Sequence, residues 1–124
     1  MKMPLAYVTA AWSADPVEAT EQAVRYCRAV YEAGFSPICP TLYLPLFLND
    51  AVPEEHKSSI DMSRDLLRRS RVLVVCGHAV TEAVKNDIAV AQRLKITATT
   101  LEGSNCDIGR PGVTRFPVYL CHNY

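Results

Sequence analysis

The sequence lacks the features that mark several classes of protein. Its 124 residues carry 13 basic and 13 acidic side chains, so it has no excess of positive charge to attract long nucleic acids or anionic membranes. No apolar run approaches the ~20 residues that a membrane-spanning helix needs, because Pro45, Asn49 and Asp50 interrupt the apolar stretch around 42–48. We therefore expect no long nucleic acid and no membrane among its partners.

Paired cysteine motifs are also missing. The five cysteines are scattered and none belongs to a C-x-x-C pair, which argues against a disulfide framework and against a zinc site. Reduced, buried thiols and no bound metal are expected. The first residues run directly into an apolar strand, without a signal-peptide core or cleavage site, so we expect a cytoplasmic protein.

Strand-like and helix-like segments alternate along a chain of which 49% is hydrophobic. This alternation predicts one α/β domain: a three-layer, doubly wound, mainly parallel sheet of about five strands, Rossmann-like or flavodoxin-like. The first and third strands are the most apolar and should be adjacent and central, whereas Pro37 places the second at an edge. The predicted strands are 5–9, 35–39, 72–76, 96–101 and 113–120, with helices at 15–34, 54–69 and 81–94.

The first helix has clear end signals. Asp15 is the predicted N-cap, Pro16 takes the first helical position, Glu18 completes a capping box and Gly34 ends the helix. Its expected inner face is an apolar stripe: Val17, Thr20, Val24, Cys27 and Tyr31.

Asp87 is the most informative residue, because it falls within the apolar face of the helix after the third strand. At ~100° per residue, it lies between Val84 and Ala91. A buried carboxylate must be paired, shifted in pKa or directed into a cleft. It is therefore either an Asp held by a backbone amide or an Arg, or a site carboxylate at the mouth of the sheet.

Ligands of such folds bind beyond the carboxyl ends of the strands. The segments delivered there contain the candidate ligand-binding residues Thr9, Trp12, Thr41, Tyr43 and His78. The aromatic ones could stack on a planar base or pack in the core. The first turn contains no glycine, which excludes a dinucleotide fingerprint and a P-loop.

Two further features have alternative interpretations. Asp65 on the second helix could serve the site, or form a surface ion pair with Arg68 and Arg69. The apolar loop at 42–48 is too hydrophobic to face water alone, which predicts a ligand groove or the interface of a homo-oligomer.

Several short motifs, and the order in which they follow one another along the chain, resemble the nucleoside 2-deoxyribosyltransferase-like superfamily. The resemblance is closer to the small bacterial and phage branch of that superfamily. The resemblance covers about residues 5–101. The matching stretches are Tyr26 with Cys27, GFSPI at 34–38, PTLYLPLFLND at 40–50, MSRDLL at 62–67, VLVVCG at 72–77 and TEAVKNDIAVA at 81–91.

The resemblance implies an enzyme without a cofactor that acts on a small nucleoside or nucleotide. A Glu of that superfamily attacks the anomeric carbon of the substrate, and its position is occupied here by Asp87. The resemblance likewise implies site roles for Asp65 and Tyr7. Paired carboxylates suit this chemistry, because one attacks while the other is held protonated to help the base leave.

The chain departs from the pattern of that branch at three places. TAAWS at 9–13 replaces a Ser-Pro-Tyr motif with a glycine, Thr41 stands where a His is frequent, and Asp87 is one methylene shorter than Glu. A retreat of ~1 Å by a nucleophile can cost about 10²-fold in rate. Two functions follow: an N-glycosidase or 2-deoxyribosyltransferase, or a non-catalytic module that binds a nucleotide-like ligand.

Overall fold

The computed structural model describes residues 3–77 and 79–101, which form a four-stranded parallel sheet with helices on both faces. Along the chain the elements are β1 (Leu5–Ala10), α1 (Pro16–Glu32), β2 (Ser36–Ile38), 3-10 turns at Pro40–Leu42 and Leu44–Leu46, α2 (Pro53–Arg68), β3 (Val72–Cys76), α3 (Glu82–Arg93) and β4 (Thr97–Leu101). The α/β class predicted from the sequence is confirmed. The predicted strand at 113–120 lies outside the described residues.

The strand order within the described residues is β2-β1-β3-β4, and all three pairings are parallel. The prediction that the first and third strands are central neighbours is therefore confirmed. The two strands pair from Ala6 with Val72 to Ala10 with Cys76, so their carboxyl ends reach the same edge of the sheet. β2 lies at the other side of β1 and is an edge strand among the described strands, in agreement with the prediction from Pro37.

Two apolar layers, one on each face of the sheet, form the core. Alternation along β1 directs Ala6 and Val8 toward α1, and Tyr7 toward α2 and α3. The cluster under α1 includes Tyr26 and Val30, and the opposite cluster is completed by the helical residues Leu67, Val84, Ile88 and Ala91. No helix in the described part of the chain has the length and apolar character needed to cross a membrane.

Most of the predicted inner face of α1 is wrong, because only Cys27 of that stripe packs against the core. Val17 and Val24 are 67% and 54% exposed, and Tyr31 is also exposed. The buried face is instead formed by Ala19, Ala23, Tyr26, Ala29 and Val30. Small alanines let the helix backbone approach the sheet closely, while Tyr26 supplies most of the buried ring surface.

The N-terminal cap of α1 matches the prediction in part. The Asp15 carboxylate accepts the Val17 N–H at 3.1 Å, as an N-cap should. The reciprocal bond differs, because the Asp15 N–H donates to the Ser13 hydroxyl at 3.1 Å rather than to Glu18. Glu18 accepts from that same hydroxyl at 2.7 Å, so Ser13 replaces the direct contact of a capping box.

Candidate functional site

Asp87 reaches the sheet through a hydrogen bond with β1. Thr9, near the carboxyl end of β1, donates from Oγ1 to Oδ2 of Asp87 at 2.6 Å. α3 begins at Glu82, with Thr81 as N-cap, so Asp87 belongs to the second turn of α3, and the hydrogen bond shows that this turn lies beside the carboxyl end of β1. The predicted position of Asp87 within the apolar face is confirmed, since Val84, Ile88 and Ala91 around it are fully buried.

The surroundings of Asp87 act on the pKa of its carboxyl in opposite directions. Burial raises the pKa of this carboxyl, whereas the hydrogen bond from Thr9 and the positive charge of Arg64 lower it. The net shift is upward, because loss of hydration outweighs the two stabilising contacts. A carboxylate in this condition binds a proton more readily than a surface Asp does, and it gains stability from a ligand group that donates to it.

A cavity of about 320 Å³ borders Asp87, which is within the size range of small-molecule sites. It lies between α2 and α3, above β1. Its polar lining is Tyr7, Ser59, Ser63, Arg64, Asn86 and Asp87, with Ile60, Leu67 and Ala83 as the apolar part. A carboxylate, a guanidinium, a phenol and two hydroxyls thus face one concave space.

Tyr7 presents a protonated phenol to this cavity. Burial raises the pKa of Tyr7 first, and the negative charge of Asp87 raises it further, while a hydrogen bond with Ser63 acts in the opposite direction. The phenol therefore keeps its proton at neutral pH and acts as a hydrogen-bond donor. Its hydrogen bond with Ser63 and the electrostatic effect of Asp87 place that donor close to both α2 and α3.

A second cavity of about 330 Å³ adjoins the first, since both are lined by Tyr7, Ser59 and Ser63. The remainder of its lining comes from the loop between β2 and α2: Pro40, Thr41, Leu44, Pro45, Leu48, Asn49 and Asp50. This loop supplies apolar surface together with one amide and one carboxylate. A ligand larger than one cavity can extend from Asp87 past Tyr7 to the loop.

The other sequence-predicted binding residues are dispersed. Thr41 lines the second cavity, whereas Tyr43 is partly exposed and stacks on Phe47 with 6.4 Å between ring centroids. Trp12 packs against Tyr26 and the α1 side of the core. His78 lies outside the described residues.

The observed lining of the cavity beside Asp87 also differs from the prediction, which expected the turns after the first three strands to line it. The structure lines it with α2 instead, because α2 crosses over β1 and presents Ser59, Ser63 and Arg64. The sequence contained a signal for these serines, since Ser59, Ser63 and Leu67 recur every four residues and so share one face of the helix. Polar side chains within a buried stripe are the same signal that identified Asp87.

Asp65 forms the surface ion pairs that the sequence left open. Its carboxylate lies 3.0 Å from Arg69 and 3.4 Å from Arg68, and all three side chains are substantially exposed. It is not among the residues that line the two cavities. The structure therefore does not join Asp65 with Asp87 as a pair of site carboxylates.

Within residues 3–77 and 79–101, no group of three or more His, Cys, Asp or Glu side chains is arranged to hold a metal ion. The polar groups that line the cavity beside Asp87 are its own carboxylate, a phenol, a guanidinium, an amide and two hydroxyls.

The chain belongs to the family described as "Domain of unknown function (DUF7768)", whose model matches residues 4–101. The match includes β1 to β4 and both cavities. No curated protein matches the chain.

Proposed function

We propose that the cavity beside Asp87 binds a nucleoside or nucleotide, and that Asp87 is the carboxylate nucleophile of an N-glycosidase or 2-deoxyribosyltransferase. The observation that carries the proposal is the partly buried Asp87 carboxylate at a cavity of ligand size, held at Oδ2 by Thr9 at 2.6 Å. Thr9 fixes one oxygen, so Oδ1 is the oxygen available to a substrate carbon. The resemblance to the deoxyribosyltransferase-like superfamily supplies the reaction class.

The proposed reaction proceeds in two displacements. An Asp87 oxygen attacks the anomeric carbon and forms a C–O bond, while the N-glycosidic bond breaks and the base leaves with its electron pair and takes a proton from solvent. Water then attacks the same carbon and releases Asp87, which gives hydrolysis. Attack by a second base instead gives transfer.

The other cavity residues have supporting roles in this scheme. Tyr7 keeps its proton because its pKa is raised, so it orients the sugar or base by donating a hydrogen bond and does not act as a general acid. Arg64 stabilises the ionised form of Asp87, which is the form that attacks. Burial strengthens the interactions of Tyr7, since hydration competes little with them, whereas Arg64 is exposed and acts on Asp87 from the rim of the cavity.

A non-catalytic module that binds a nucleotide-like ligand is the second candidate. It is favoured by the short Asp87 side chain, which stands where the resemblance implies a Glu. The cavity and its polar groups serve binding equally well in either case.

The test combines ligand binding with product analysis. The full chain is screened by thermal shift against nucleosides and nucleotides, and chromatography of each stabilising mixture measures free base. Asp87→Asn, which keeps the size of the side chain, should abolish base release. Asp61→Asn is the matched control, because Asp61 is an exposed carboxylate on α2 paired with Lys57.

Each result separates the candidates. Base release that depends on Asp87 supports the enzyme, whereas stabilisation without base release supports the binding module. If no nucleoside or nucleotide raises the melting temperature and no base is released, the proposal is rejected.

The cytoplasmic location remains a prediction from the sequence.

A further inference from the structure

Two cysteine thiols from different elements meet beside the loop that lines the second cavity. Cys27 lies on α1 and Cys39 follows β2, and their thiols form a hydrogen bond. Both side chains pack in the apolar cluster between α1 and the sheet. Neither is disulfide-bonded in this structure.

The two thiols have different surroundings. Cys27 is half-buried, whereas Cys39 is buried and its sulfur accepts hydrogen bonds from the backbone of Thr41 and Leu42. The hydrogen bond from Cys39 lowers the pKa of Cys27, and the same hydrogen bond together with burial raises the pKa of Cys39. Cys27 is thus the more accessible of the two sulfurs, which is required of the thiol that meets an oxidant first.

We propose that Cys27 and Cys39 are a peroxide-sensitive pair whose disulfide fastens the start of the 40–48 loop to α1. In the first step the Cys27 thiolate attacks one peroxide oxygen, the O–O bond breaks, and Cys27 becomes a sulfenic acid while hydroxide leaves and is protonated to water. The Cys39 sulfur then attacks the Cys27 sulfur, the S–O bond breaks, and a second water leaves. The two sulfurs together lose two electrons, and one hydroperoxide accepts them.

The position of Cys39 connects this chemistry to the cavity. Pro40 and Thr41 follow it directly and line the second cavity. An S–S bond of ~2.0 Å requires the hydrogen-bonded sulfurs to approach each other further. That approach pulls Cys39 toward α1 and restrains the residues next to it. The inference does not depend on any catalytic role of Asp87.

The sequence allows a direct chemical test by mass spectrometry. Trypsin cleavage after Lys and Arg leaves each of the five cysteines in its own peptide, with Cys27 in 26–28 and Cys39 in 29–57. The full chain is treated with hydrogen peroxide in slight excess, quenched and digested without reductant. We expect an intact-mass loss of about 2 Da, a cross-linked 26–28/29–57 peptide, and reversal by dithiothreitol.

Three variants test the order of the steps. Cys39→Ser should leave a sulfenic acid at Cys27 that dimedone labels, whereas Cys27→Ser should leave Cys39 unlabelled. Cys39→Ala repeats the first experiment in case serine disturbs the buried position. The matched control is the double variant Cys106→Ser/Cys121→Ser, which retains both proposed partners and should oxidise like the unchanged chain.

Amide hydrogen exchange tests the effect on the loop. Residues 40–48 should exchange more slowly in the oxidised chain, and dithiothreitol should restore the original rate. A cross-link between other peptides, or overoxidation of Cys27 without any disulfide, overturns the pairing. Exchange that does not change on oxidation overturns the proposed restraint of the loop.

Discussion

The charge state of Asp87 couples the site to the stability of the protein. Burial raises the pKa of this carboxyl in the folded chain above its value in the unfolded chain. Between those two pKa values the folded state binds more protons than the unfolded state, so the free energy of unfolding falls as the pH rises. The stability that Asp87 contributes is fully present below its pKa in the unfolded chain. It is lost as the pH rises through the pKa of Asp87 in the folded chain.

Asp87→Asn should therefore stabilise the protein at neutral pH. The amide removes the cost of a buried charge while its oxygen still accepts from Thr9, so the melting temperature at pH 7 should equal or exceed that of the unchanged chain. The difference should decline as the pH falls, because Asp87 takes up its proton at a higher pH in the folded chain than in the unfolded chain. Melting curves from pH 4 to pH 8 measure this, and a clear loss of stability at pH 7 contradicts it.

Thr9→Val provides the complementary change at the same contact. Valine keeps the shape of threonine but cannot donate to Asp87, so we expect a loss of about 1–3 kcal/mol at neutral pH. In the Asp87→Asn background the loss should be smaller, because no buried charge is left without its partner. Chemical denaturation of the unchanged chain, the two single variants and the double variant gives the coupling free energy between Thr9 and Asp87. If the losses in the free energy of unfolding are strictly additive, they argue against the hydrogen bond.

At the level of single residues, the sequence identified Asp87 but not its environment. The 100° periodicity places a carboxylate among Val84, Ile88 and Ala91, and that pattern is local. Its donor Thr9 is 78 positions away, and its cationic neighbour Arg64 belongs to another helix. Those contacts depend on how α2 and α3 cross β1, which no local pattern encodes. The ion pairs of Asp65, by contrast, are local, and the spacing of Arg68 and Arg69 on the same helix already offered them as one of the two interpretations.

At the level of elements, α1 shows how a periodic pattern selects the wrong face. Val17, Val24 and Tyr31 recur at helical spacing, but so do Ala19, Ala23 and Val30, and both sets satisfy the 3.6-residue period. The larger residues gave the stronger hydrophobic signal. The structure buries the alanine face, because close approach of helix and sheet depends on small side chains rather than on total hydrophobicity.

A pair of neighbouring substitutions tests this orientation. Ala23 is fully buried and Val24 is largely exposed. Ala23→Leu should lower the free energy of unfolding by about 1–3 kcal/mol through overpacking. Val24→Ala should change it by less than about 0.5 kcal/mol, as surface substitutions usually do. The reverse order of the two effects in denaturant titrations would restore the face predicted from the sequence.

The turn after β3 depends on Gly77. Its φ is +81°, and an added Cβ would lie 3.1 Å from the Tyr26 hydroxyl oxygen. Gly34 also has a positive φ, of +102°, but a Cβ there would meet nothing within 4 Å. Gly34→Ala therefore reports backbone strain alone, while Gly77→Ala adds the clash with α1.

We expect Gly77→Ala to cost about 1–3 kcal/mol of stability, and more than Gly34→Ala costs. Tyr26→Phe removes the hydroxyl that the new methyl group would meet, so part of the loss should be recovered in the double variant. Thermal and denaturant unfolding of the single and double variants measures the coupling. Equal losses at the two glycines would show that the contact with Tyr26 is unimportant.

At the scale of the whole molecule, strand order was predictable because it follows from burial. Short runs that are apolar at nearly every position have to be covered on both faces, which selects β1 and β3 as the central pair. Pro37 cannot donate to a neighbouring strand, which selects β2 as an edge. The arrangement of α2 over the carboxyl half of β1 has no comparable sequence signature, and that arrangement determines the lining of the cavity.

Self-association is the remaining prediction at this scale. Leu44 anchors the loop between β2 and α2 in the core, but Leu46 and Phe47 are 82% and 58% exposed and lie close to the partly exposed Tyr43. Adjacent exposed apolar side chains of this size favour an interface, and identical chains most often associate through a two-fold axis. We expect a homo-oligomer that buries Leu46 and Phe47.

Light scattering coupled to size exclusion at micromolar concentration measures the assembly. The double substitution Leu46→Ser/Phe47→Ser should yield a monomer that keeps its circular dichroism spectrum, because neither side chain belongs to the core of the chain. Val24→Ser is the control, since it removes another exposed apolar side chain from α1, away from this loop. An unchanged chain that is already monomeric, or an oligomer that survives the double substitution, would exclude the loop as the interface.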